Sequence, residues 1–469
     1  MDKRNPLKTL GVILIGLVLT TFTGVLALGS INSAHATDYY VAPSGNDSNP
    51  GTSGSPFATI QRGIDAAFSG ETVWVADGTY TGAGNRDIDF NGKAITVESV
   101  NGPGVTIIDC QGTVSSPHRG FYFHNVETTS SILDGFTIKN GYGPGENLTV
   151  PPTPTVSWSS GGGIYVTNAS PLIQNNIIIE NTATYGAGIL CWQNASPTIQ
   201  NNIIKNNNAF GGTGGGVRFY NNCSGTLKNN IIAYNNAHSG GGIGIDMFSS
   251  VVVVNNIVAK NSVSWRGGGL SCGNSAPIIT NNTISENTNA TLNQGGGAYF
   301  WYASPTITNT IFWGNVGGEI ADEGISSVIS ITYSDIQGGY VGTGNINSDP
   351  VFIHPDGDYH LQTGSPCIDV GDNSAPQIPT LDFEGDSRTF NTKVDMGADE
   401  YITYSQYIVT GLVQYSTTPL DNVKVELRSV PPDYNTIAQT TYTNVLGVYT
   451  FYGVSDGDYQ VRTYGPTPE

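Results

Sequence analysis

The sequence predicts an all-β chain wound as a parallel β-helix, and an internal repeat is the main reason. A block of consensus Gly-Gly-Gly-Ile-x-Val, a short loop and Ser-Pro-x-Ile-x-Asn-Asn-x-Ile-x-x-Asn occurs six times. The steps between successive Asn pairs are 26, 28, 26, 26 and 28 residues, and the pairs begin at Asn175, Asn201, Asn229, Asn255, Asn281 and the degenerate Asn309. Units this short cannot bury a core alone, so they are expected to stack as a solenoid. Each unit holds three short runs of alternating apolar residues, which predicts three strands per coil.

Composition agrees with this fold and excludes some partners. Charged residues make up 12% of the chain, about half of the ~25% that is typical of globular domains. Gly accounts for 61 of the 469 residues, as expected where every coil needs corners with positive φ. The formal net charge of −19 argues against nucleic acid or an anionic lipid surface as a partner.

The N-terminus has the pattern of an export signal. Lys3, Arg4 and Lys8 precede an apolar run over residues 10–28, and Ala34-His35-Ala36 has the form of a cleavage site. We therefore expect residues 1–36 to be a signal peptide and the mature protein to be secreted or exposed at the cell surface. The alternative is an uncleaved anchor, so membrane contact is expected only through this segment or an anchor that the sequence does not reveal.

The predicted elements follow in chain order within a β-helix domain of residues 37–402. In the N-terminal cap region, 38–80, Ser55-Pro56 is expected to open a helix whose face of Ile60, Ile64, Ala67 and Phe68 covers the open end of the solenoid. Regular coils are predicted over 160–316, and an irregular terminal module over 345–401. Residues 408–469 alternate as a small antiparallel β-sandwich, and Glu469 follows its last strand so closely that this module is expected to be truncated.

Two recurring residue types are predicted to be structural. The last Asn of the motif is expected to stack along the solenoid through side-chain hydrogen bonds, at Asn140, Asn181, Asn207, Asn235, Asn261, Asn287 and Asn315. Cys191 and Cys272 occupy the same inward-facing place in coils three apart, a separation of about 14 Å that is too long for a disulfide. They are expected to be buried thiols, and the remaining cysteines show no metal-ligand spacing.

Four segments resemble known families. Residues 38–80, with Tyr39-Tyr40-Val41, Gly45-Asn46-Asp47, Pro56-Phe57-Ala58-Thr59-Ile60-Gln61 and Gly78-Thr79-Tyr80, resemble the N-terminal region of pectate-lyase-like β-helix proteins. Residues 160–316 resemble the parallel β-helix repeat, with Gly-Gly-Gly-Ile blocks similar to those of polymorphic outer-membrane proteins. Residues 345–401 are similar to the choice-of-anchor Q module of bacterial surface proteins, and 408–464 to carboxypeptidase-regulatory or Cna-B modules.

These resemblances imply a right-handed β-helix, an N-terminal capping helix and an extracytoplasmic location in a bacterium. They do not specify an activity, because the superfamily includes lyases, hydrolases, epimerases and non-catalytic adhesins. They also imply that the Gly-rich strand forms the substrate face.

Alternation along the Gly-rich strand predicts two outward-facing columns. The first is Tyr122, Tyr165, Leu190, Arg218, Gly244, Ser271 and Tyr299, and the second is His124, Thr167, Trp192, Tyr220, Asp246, Gly273 and Trp301. Aromatic rings suit the apolar faces of sugars, and charged groups suit their hydroxyls and carboxylates. The expected substrate-binding residues are Tyr165, Trp192, Tyr220, Tyr299 and Trp301, together with Trp158 from a loop that walls one end.

The catalytic candidates come from successive coils: Arg218, His238, Asp246 and Arg266. In a uronate lyase, His238 would remove the proton next to the sugar carboxylate, which Arg218 or Arg266 would neutralise. A hydrolase needs two carboxylates, and this face offers Asp246 alone. No metal ligands are predicted on this face of the solenoid. The segment Asp356-Gly357-Asp358 has oxygen ligands suited to Ca²⁺, and the alternative is an acidic turn that binds no metal ion.

The sequence therefore leaves two functions open. The favoured one is a monomeric, non-catalytic adhesin or structural surface protein that contacts polysaccharide or cell-envelope glycan; the alternative is a polysaccharide lyase or related carbohydrate-active enzyme. The surface-type modules and the missing carboxylate pair favour the first. A hydrogen-bond network that buries Arg218 or Asp246 would weaken both interpretations of the groove.

Overall fold

The computed structural model describes residues 38–147, 157–323, 327–354, 357–389 and 392–402, and further segments 407–415, 418–419, 423–429, 437–444, 447–454 and 459–464. The predicted signal peptide, residues 1–36, lies outside the described residues. In the part of the chain that is described, no helix is long and apolar enough to cross a membrane.

The chain winds into a parallel solenoid whose coils contribute strands to two long sheets in succession. Sheet A follows the Ser-Pro corner and comprises Tyr39–Val41, Thr72–Val75, Thr96–Ser99, Ile132–Asp134, Leu172–Gln174, Thr198–Gln200, Thr226–Lys228, Val252–Val254, Ile278–Thr280, Thr306–Thr308 and Ser330–Thr332. Sheet B follows the Asn-Asn corner and comprises Gly78–Tyr80, Thr106–Asp109, Thr137–Lys139, Ile177–Ile179, Ile203–Lys205, Ile231–Ala233, Ile257–Ala259, Thr283–Ser285, Ile311–Trp313 and Asp335–Ile336.

The Gly-rich strands form a third long sheet, and a short fourth sheet precedes it. Sheet C comprises Thr182–Ala183, Asn208–Thr213, Asn236–Ser239, Ser262–Arg266 and Thr288–Asn289. Sheet D comprises Ile88–Asp89, Phe121–Phe123, Ile164–Thr167, Ile189–Trp192, Val217–Tyr220, Ile243–Asp246, Leu270–Gly273, Ala298–Trp301 and Ile320–Asp322. The predicted parallel β-helix is thus confirmed. The coils that contribute to sheet C contain a fourth, short strand, whereas three strands per coil were expected.

The core consists of the inward-facing residues of sheets A, B and D, which are fully buried, as at Ile173, Ile178 and Ile189. The Gly-Gly-Gly corner before sheet D is explained by the close approach of successive coils. A Cβ on Gly188 would lie 2.5 Å from the carbonyl oxygen of Gly216 in the next coil. A side chain is therefore excluded at the position of Gly188.

Asparagine side chains bond from coil to coil at two corners. The predicted ladder runs through Asn181, Asn207, Asn235, Asn261, Asn287 and Asn315. A second ladder, formed by the second Asn of each pair, runs through Asn176, Asn202, Asn230, Asn256 and Asn282. The expectation for Asn140 was wrong: Gly141 takes that place and donates its amide to Asn181, while Asn140 bonds to Asp109.

The N-terminal helix begins later than the sequence predicted. It spans Ile60–Ala66, and the hydroxyl of its N-cap, Thr59, accepts from the amide of Arg62. Ser55 does not cap it, because Phe57 exchanges backbone hydrogen bonds with the extended chain at residues 40 and 42. Ile60, Ile64 and Ala67 are buried as expected, whereas Phe68 follows the helix and is 73% exposed.

The cysteine prediction is confirmed. The five cysteines are free and buried. Cys191 and Cys272 are aligned in sheet D with two coils between them, represented by Phe219 and Ile245.

Residues 345–401, the terminal module, fold back onto the corner between sheets A and B. The module contains a hairpin of Phe352–His354 and Asp358–Leu361. The first Asn of three successive pairs bonds to the module's backbone: Asn255 to Leu381, Asn281 to Asp395 and Asn309 to Asp372. Asp382 stabilises a turn of this module, because its carboxylate accepts from the backbone amides of residues 384, 385, 386 and 400.

The C-terminal region contains small antiparallel sheets, consistent with the predicted sandwich. Tyr407–Leu412 pairs with Val448–Val454, and Gln414–Tyr415 pairs with Thr418–Pro419. Lys424–Ser429 lies between Ile437–Tyr442 and Tyr459–Tyr464. Val425, Leu427 and Phe451 form the core of this region.

Candidate functional site

The register of sheet D aligns the two predicted columns. Tyr165 is paired with Leu190, and the column continues through Arg218, Gly244, Ser271 and Tyr299. The second column runs from Thr167 through Trp192, Tyr220, Asp246 and Gly273 to Trp301. The inward-facing Ile164 and Val166 belong to the main core, whereas Tyr165, Leu190 and Trp192 form a separate cluster, so the predicted alternation is present although these three residues are buried.

The N-terminal half of these columns forms a packed aromatic cluster. Tyr165 is 3% and Trp192 7% exposed. Tyr122 stacks on Tyr165 with a centroid separation of 5.2 Å, and Trp192 stacks on Tyr220 at 4.6 Å. The spacing between coils is close to that of stacked rings, so the aromatic residues cover one another. Little of the ring surface of Tyr165 or Trp192 is therefore accessible to a sugar.

A hairpin of Gly145–Asn147 and Ser157–Ser159 lies over this end of the columns. Trp158 is 41% exposed and contacts Tyr185 edge to face at 5.8 Å. Glu146 forms an ion pair of 2.7 Å with Arg119, and that guanidinium lies 4.8 Å from the ring centroid of Tyr165. The hairpin is therefore tied to the aromatic cluster by charge and by ring contact.

The C-terminal half of the columns lines a cavity of about 530 Å³. It brings together three of the predicted catalytic residues, Arg218, Asp246 and Arg266, and three of the predicted binding residues, Tyr220, Tyr299 and Trp301. Trp301 is 39% exposed, which leaves part of its ring available to a ligand.

Arg218 is enclosed by two aromatic rings and one carboxylate. Its guanidinium lies 4.3 Å from the ring centroid of Tyr185 and 4.4 Å from that of Tyr220. Its Nη2 donates to Oδ2 of Asp246 at 3.3 Å, and the arginine is 6% exposed. Burial raises the pKa of Asp246, and the positive charge of Arg218 opposes that rise. This is the burying network that weakens a catalytic assignment of either residue.

Arg266 is paired in a similar way at the more open end of the cavity. It forms an ion pair with Glu323, and its Nε donates to the side chain of Gln294 at 3.2 Å. Its guanidinium lies 3.8 Å from the ring centroid of Trp265 and 4.6 Å from that of Tyr299. Burial, followed by the neighbouring Glu323, raises the pKa of Tyr299. The cavity therefore holds two arginine–carboxylate pairs lying against aromatic rings.

His238 is not among the residues that line the cavity. It lies exposed on sheet C, where its Nδ1 is 2.9 Å from Oγ of Ser264 and its ring stacks on Trp265 at 5.1 Å. The structure therefore does not bring the proposed base together with Arg218 and Asp246.

Glu323 is a cavity residue that the sequence analysis missed. In the last coil of sheet D, Phe300 is paired with Asp322, so Glu323 follows in the place next to Trp301. The signal was present in the sequence, but this coil lacks the Gly-Gly-Gly-Ile block that defined the other members of the column.

The predicted Ca²⁺ site at Asp356 and Asp358 lies only partly within the described residues. Asp356 lies outside the described residues. The carboxylate of Asp358 accepts from its neighbour's ring, His360 Nδ1, and from the backbone amide of that residue.

One family model agrees with the solenoid. The family model described as "Right handed beta helix region" matches residues 80–264. Pectate lyase PEL9 of Emericella nidulans is 41% identical over 59 residues, which is 13% of this chain and 14% of that protein's length. Among solved structures, pectate lyase Pel9A has a TM-score of 0.45 and 17% identity, covering 77% of this chain and 96% of that one. The complex of XylC with xylose has a TM-score of 0.35 and 12% identity, covering 77% and 98%. The sheet topology and the family match together describe this chain's fold as a right-handed parallel β-helix.

Proposed function

We propose that this protein binds an acidic polysaccharide at the cavity on sheet D, without cleaving it. The observation that carries the proposal is the partly exposed ring of Trp301 beside the Arg266–Glu323 pair. An aromatic ring can stack on a sugar, while an arginine that exchanges Glu323 for a sugar carboxylate would select an acidic chain.

Binding fits the geometry better than catalysis does. Each arginine in the cavity already has a carboxylate partner, and Arg218 is nearly inaccessible. The base proposed for a lyase, His238, lies outside the cavity lining. These arrangements make Arg218 unavailable to a substrate and leave the expected base, His238, outside the cavity.

The alternative is uronate β-elimination, and one observation favours it. Asp246 lies in the cavity, and burial raises the pKa of its carboxyl group above the ordinary value, which makes the carboxylate a stronger base. In such a reaction the base takes the proton from the carbon next to the sugar carboxylate, and the C–O bond on the neighbouring carbon breaks. The departing oxygen keeps the bonding electrons and takes up a proton, and a carbon–carbon double bond remains in the sugar.

The proposal includes an extracytoplasmic protein that acts as a monomer. The cleavage-type N-terminus and the resemblance of residues 345–401 and 408–464 to surface-protein modules support this location. The relative from Emericella nidulans is named a pectate lyase, which makes pectate the first ligand to test.

The test uses the mature protein, with Ca²⁺ present, against a panel of acidic polysaccharides that starts with pectate. We expect the protein to be retained on at least one immobilised polysaccharide, with no rise in the ultraviolet absorbance of unsaturated uronate. Trp301→Ala should weaken binding roughly ten-fold, or about 1.4 kcal/mol. Phe68→Ala, which removes an exposed ring on the N-terminal cap, is the control and should bind normally.

The other outcomes discriminate between the hypotheses. A rise in absorbance that is lost in Asp246→Asn would replace the binding proposal with the lyase. Absence of retention across the panel, or equal retention of Trp301→Ala and the parent protein, would remove the cavity as a glycan site.

A further inference from the structure

The terminal module carries far more negative than positive charge. Residues 345–401 contain eleven Asp and Glu residues but only Arg388 and Lys393 as permanent cations. Buried carboxylates in proteins are normally paired with cations or coordinate metal ions, because an isolated buried charge is costly. The negative charge of the acidic residues in this module therefore needs cations to balance it.

Several of these carboxylates are buried together. Asp358, Asp382, Asp395, Asp399 and Glu400 are each 6% exposed or less. Among the described residues of the module, the cations that face them are a buried arginine and a histidine, whereas Lys393 is exposed. Negative charge exceeds positive charge in the interior of this module.

The excess is concentrated around His360, which has a carboxylate at each ring nitrogen. Its Nε2 lies 2.8 Å from Oε2 of Glu384, and its Nδ1 contacts Oδ1 of the buried Asp358. Asp399 adds a third carboxylate, which accepts from the amide of Leu361 at 2.8 Å. One donor atom from each of His360, Glu384 and Asp399 lies within 4.8 Å of the others.

We propose that His360 Nε2, Glu384 and Asp399 bind a divalent transition-metal ion, of which Zn²⁺ and Mn²⁺ are the best examples. One imidazole with two carboxylates is a donor set for these ions, whereas Ca²⁺ prefers oxygen donors alone. Metal-ligating histidines almost always donate their other ring N–H to a carboxylate or carbonyl, and Asp358 is placed to accept it.

The surroundings of His360 and Asp399 allow an ion to enter. His360 and Asp399 line a cavity of about 280 Å³, from which water could complete the coordination. Glu384 is partly exposed, so it can turn to admit an ion where its oxygen now meets the ring nitrogen.

The competing interpretation is a purely structural clasp, in which a protonated His360 donates to Asp358 and Glu384 and no metal binds. The two interpretations differ in what divalent ions do to the full-length protein. A metal site gains stability with ion concentration, because the ion binds the folded chain. A clasp is indifferent to the ion.

The test is calorimetric titration of the chelator-treated full-length protein with ZnCl₂ and, separately, MnCl₂, together with thermal unfolding at each ion concentration. We expect about one ion per chain and a rise in Tm for at least one of the two metals. Glu384→Gln should weaken binding at least ten-fold while keeping a neutral partner for the ring. Asp349→Asn, an exposed carboxylate of the same module, should bind as the parent does.

Circular dichroism of Glu384→Gln shows whether the variant is folded. Asp399→Asn provides a second ligand change if it is not. The proposal would be overturned if neither metal produced heat or a change in Tm. It would also be overturned if folded ligand variants bound as tightly as Asp349→Asn, which would indicate adsorption to other acidic residues.

Discussion

At the scale of single residues, the buried environment of Glu319 favours the protonated, neutral form of its carboxyl group. Glu319 lies at the end of the Asn181–Asn315 ladder, where it accepts from the backbone amide of Asn315 at 3.0 Å and from the side-chain amide of the same residue. Burial raises its pKa to about 7, with a smaller contribution from the charge of Asp335, against hydrogen bonds that lower it.

This shift predicts a pH dependence with a definite sign. Between the ordinary value of 4.5 and about 7, the folded protein holds a proton on Glu319 that the unfolded chain has lost. The free energy of unfolding should therefore fall as pH rises through this window, by up to about 3 kcal/mol, and be flat above it.

Glu319→Gln, which has no proton to lose, should lack that contribution. Denaturant unfolding of the two proteins from pH 4 to pH 8 measures the difference. A constant difference in stability across the range would contradict the shifted pKa.

Arg218 shows the limit of residue-level prediction in the candidate site. Alternation placed it correctly on the outer face of sheet D. The sequence did not indicate that Tyr185 and Tyr220 would enclose its guanidinium or that Asp246 would accept from it, because these partners come from three different coils.

At the scale of structural elements, the Asn corners connect each coil to the next. Asn256 is fully buried and donates to the carbonyls of Leu227 and Val254 and to the side chain of Asn282. Its own Oδ1 accepts from the amide of Asn230. One side chain therefore satisfies polar groups of three coils.

We expect Asn256→Ala to destabilise the solenoid by about 3 kcal/mol, because several buried groups lose partners at once. Thermal or denaturant unfolding measures the loss. Asn208→Ala is the matched control: the side chain of this exposed residue accepts from Asn236 along the surface, and its loss should cost less than about 0.5 kcal/mol. Equal effects of the two changes would mean that the ladder is not a source of stability.

The start of the N-terminal helix illustrates why local signals fail at element boundaries. Ser55-Pro56 has the form of an N-cap, but the carboxylate of Asp47 accepts from the amides of Ala58 and Thr59. That contact, together with the pairing of Phe57, keeps the chain extended until Thr59. A tertiary interaction across twelve residues thus overrides the local preference.

At the scale of the whole molecule, a buried arginine joins the terminal module to the solenoid. Arg388 is 1% exposed, and its Nη2 donates to Oδ1 of Asn255 at 2.7 Å. The same guanidinium donates to the carbonyls of Gly397, Ala398 and Asp399 within the module. It therefore ties the fold of the module to its position on the corner of sheets A and B.

Arg388→Met should cost about 3–5 kcal/mol, because it leaves buried carbonyls and Glu400 without their cation. Limited proteolysis should then cut within residues 345–401 before it cuts the regular coils. Lys393→Met, an exposed cation in the same module, should leave the protein resistant. If both variants resist equally, Arg388 is not what holds the module in place.

The sequence by itself determined the repeat, the parallel solenoid and the alignment of sheet D, because period and alternation are local properties of the chain. It also indicated that the last Asn of most repeats would stack through side-chain hydrogen bonds and that two of the cysteines would be buried. The tertiary structure alone decided that the first Asn of three pairs would hold the terminal module, that Glu323 would complete the cavity, and that His238 would lie outside it. Each of these depends on contacts between residues far apart in sequence, where packing and the need to pair buried polar groups select the partners.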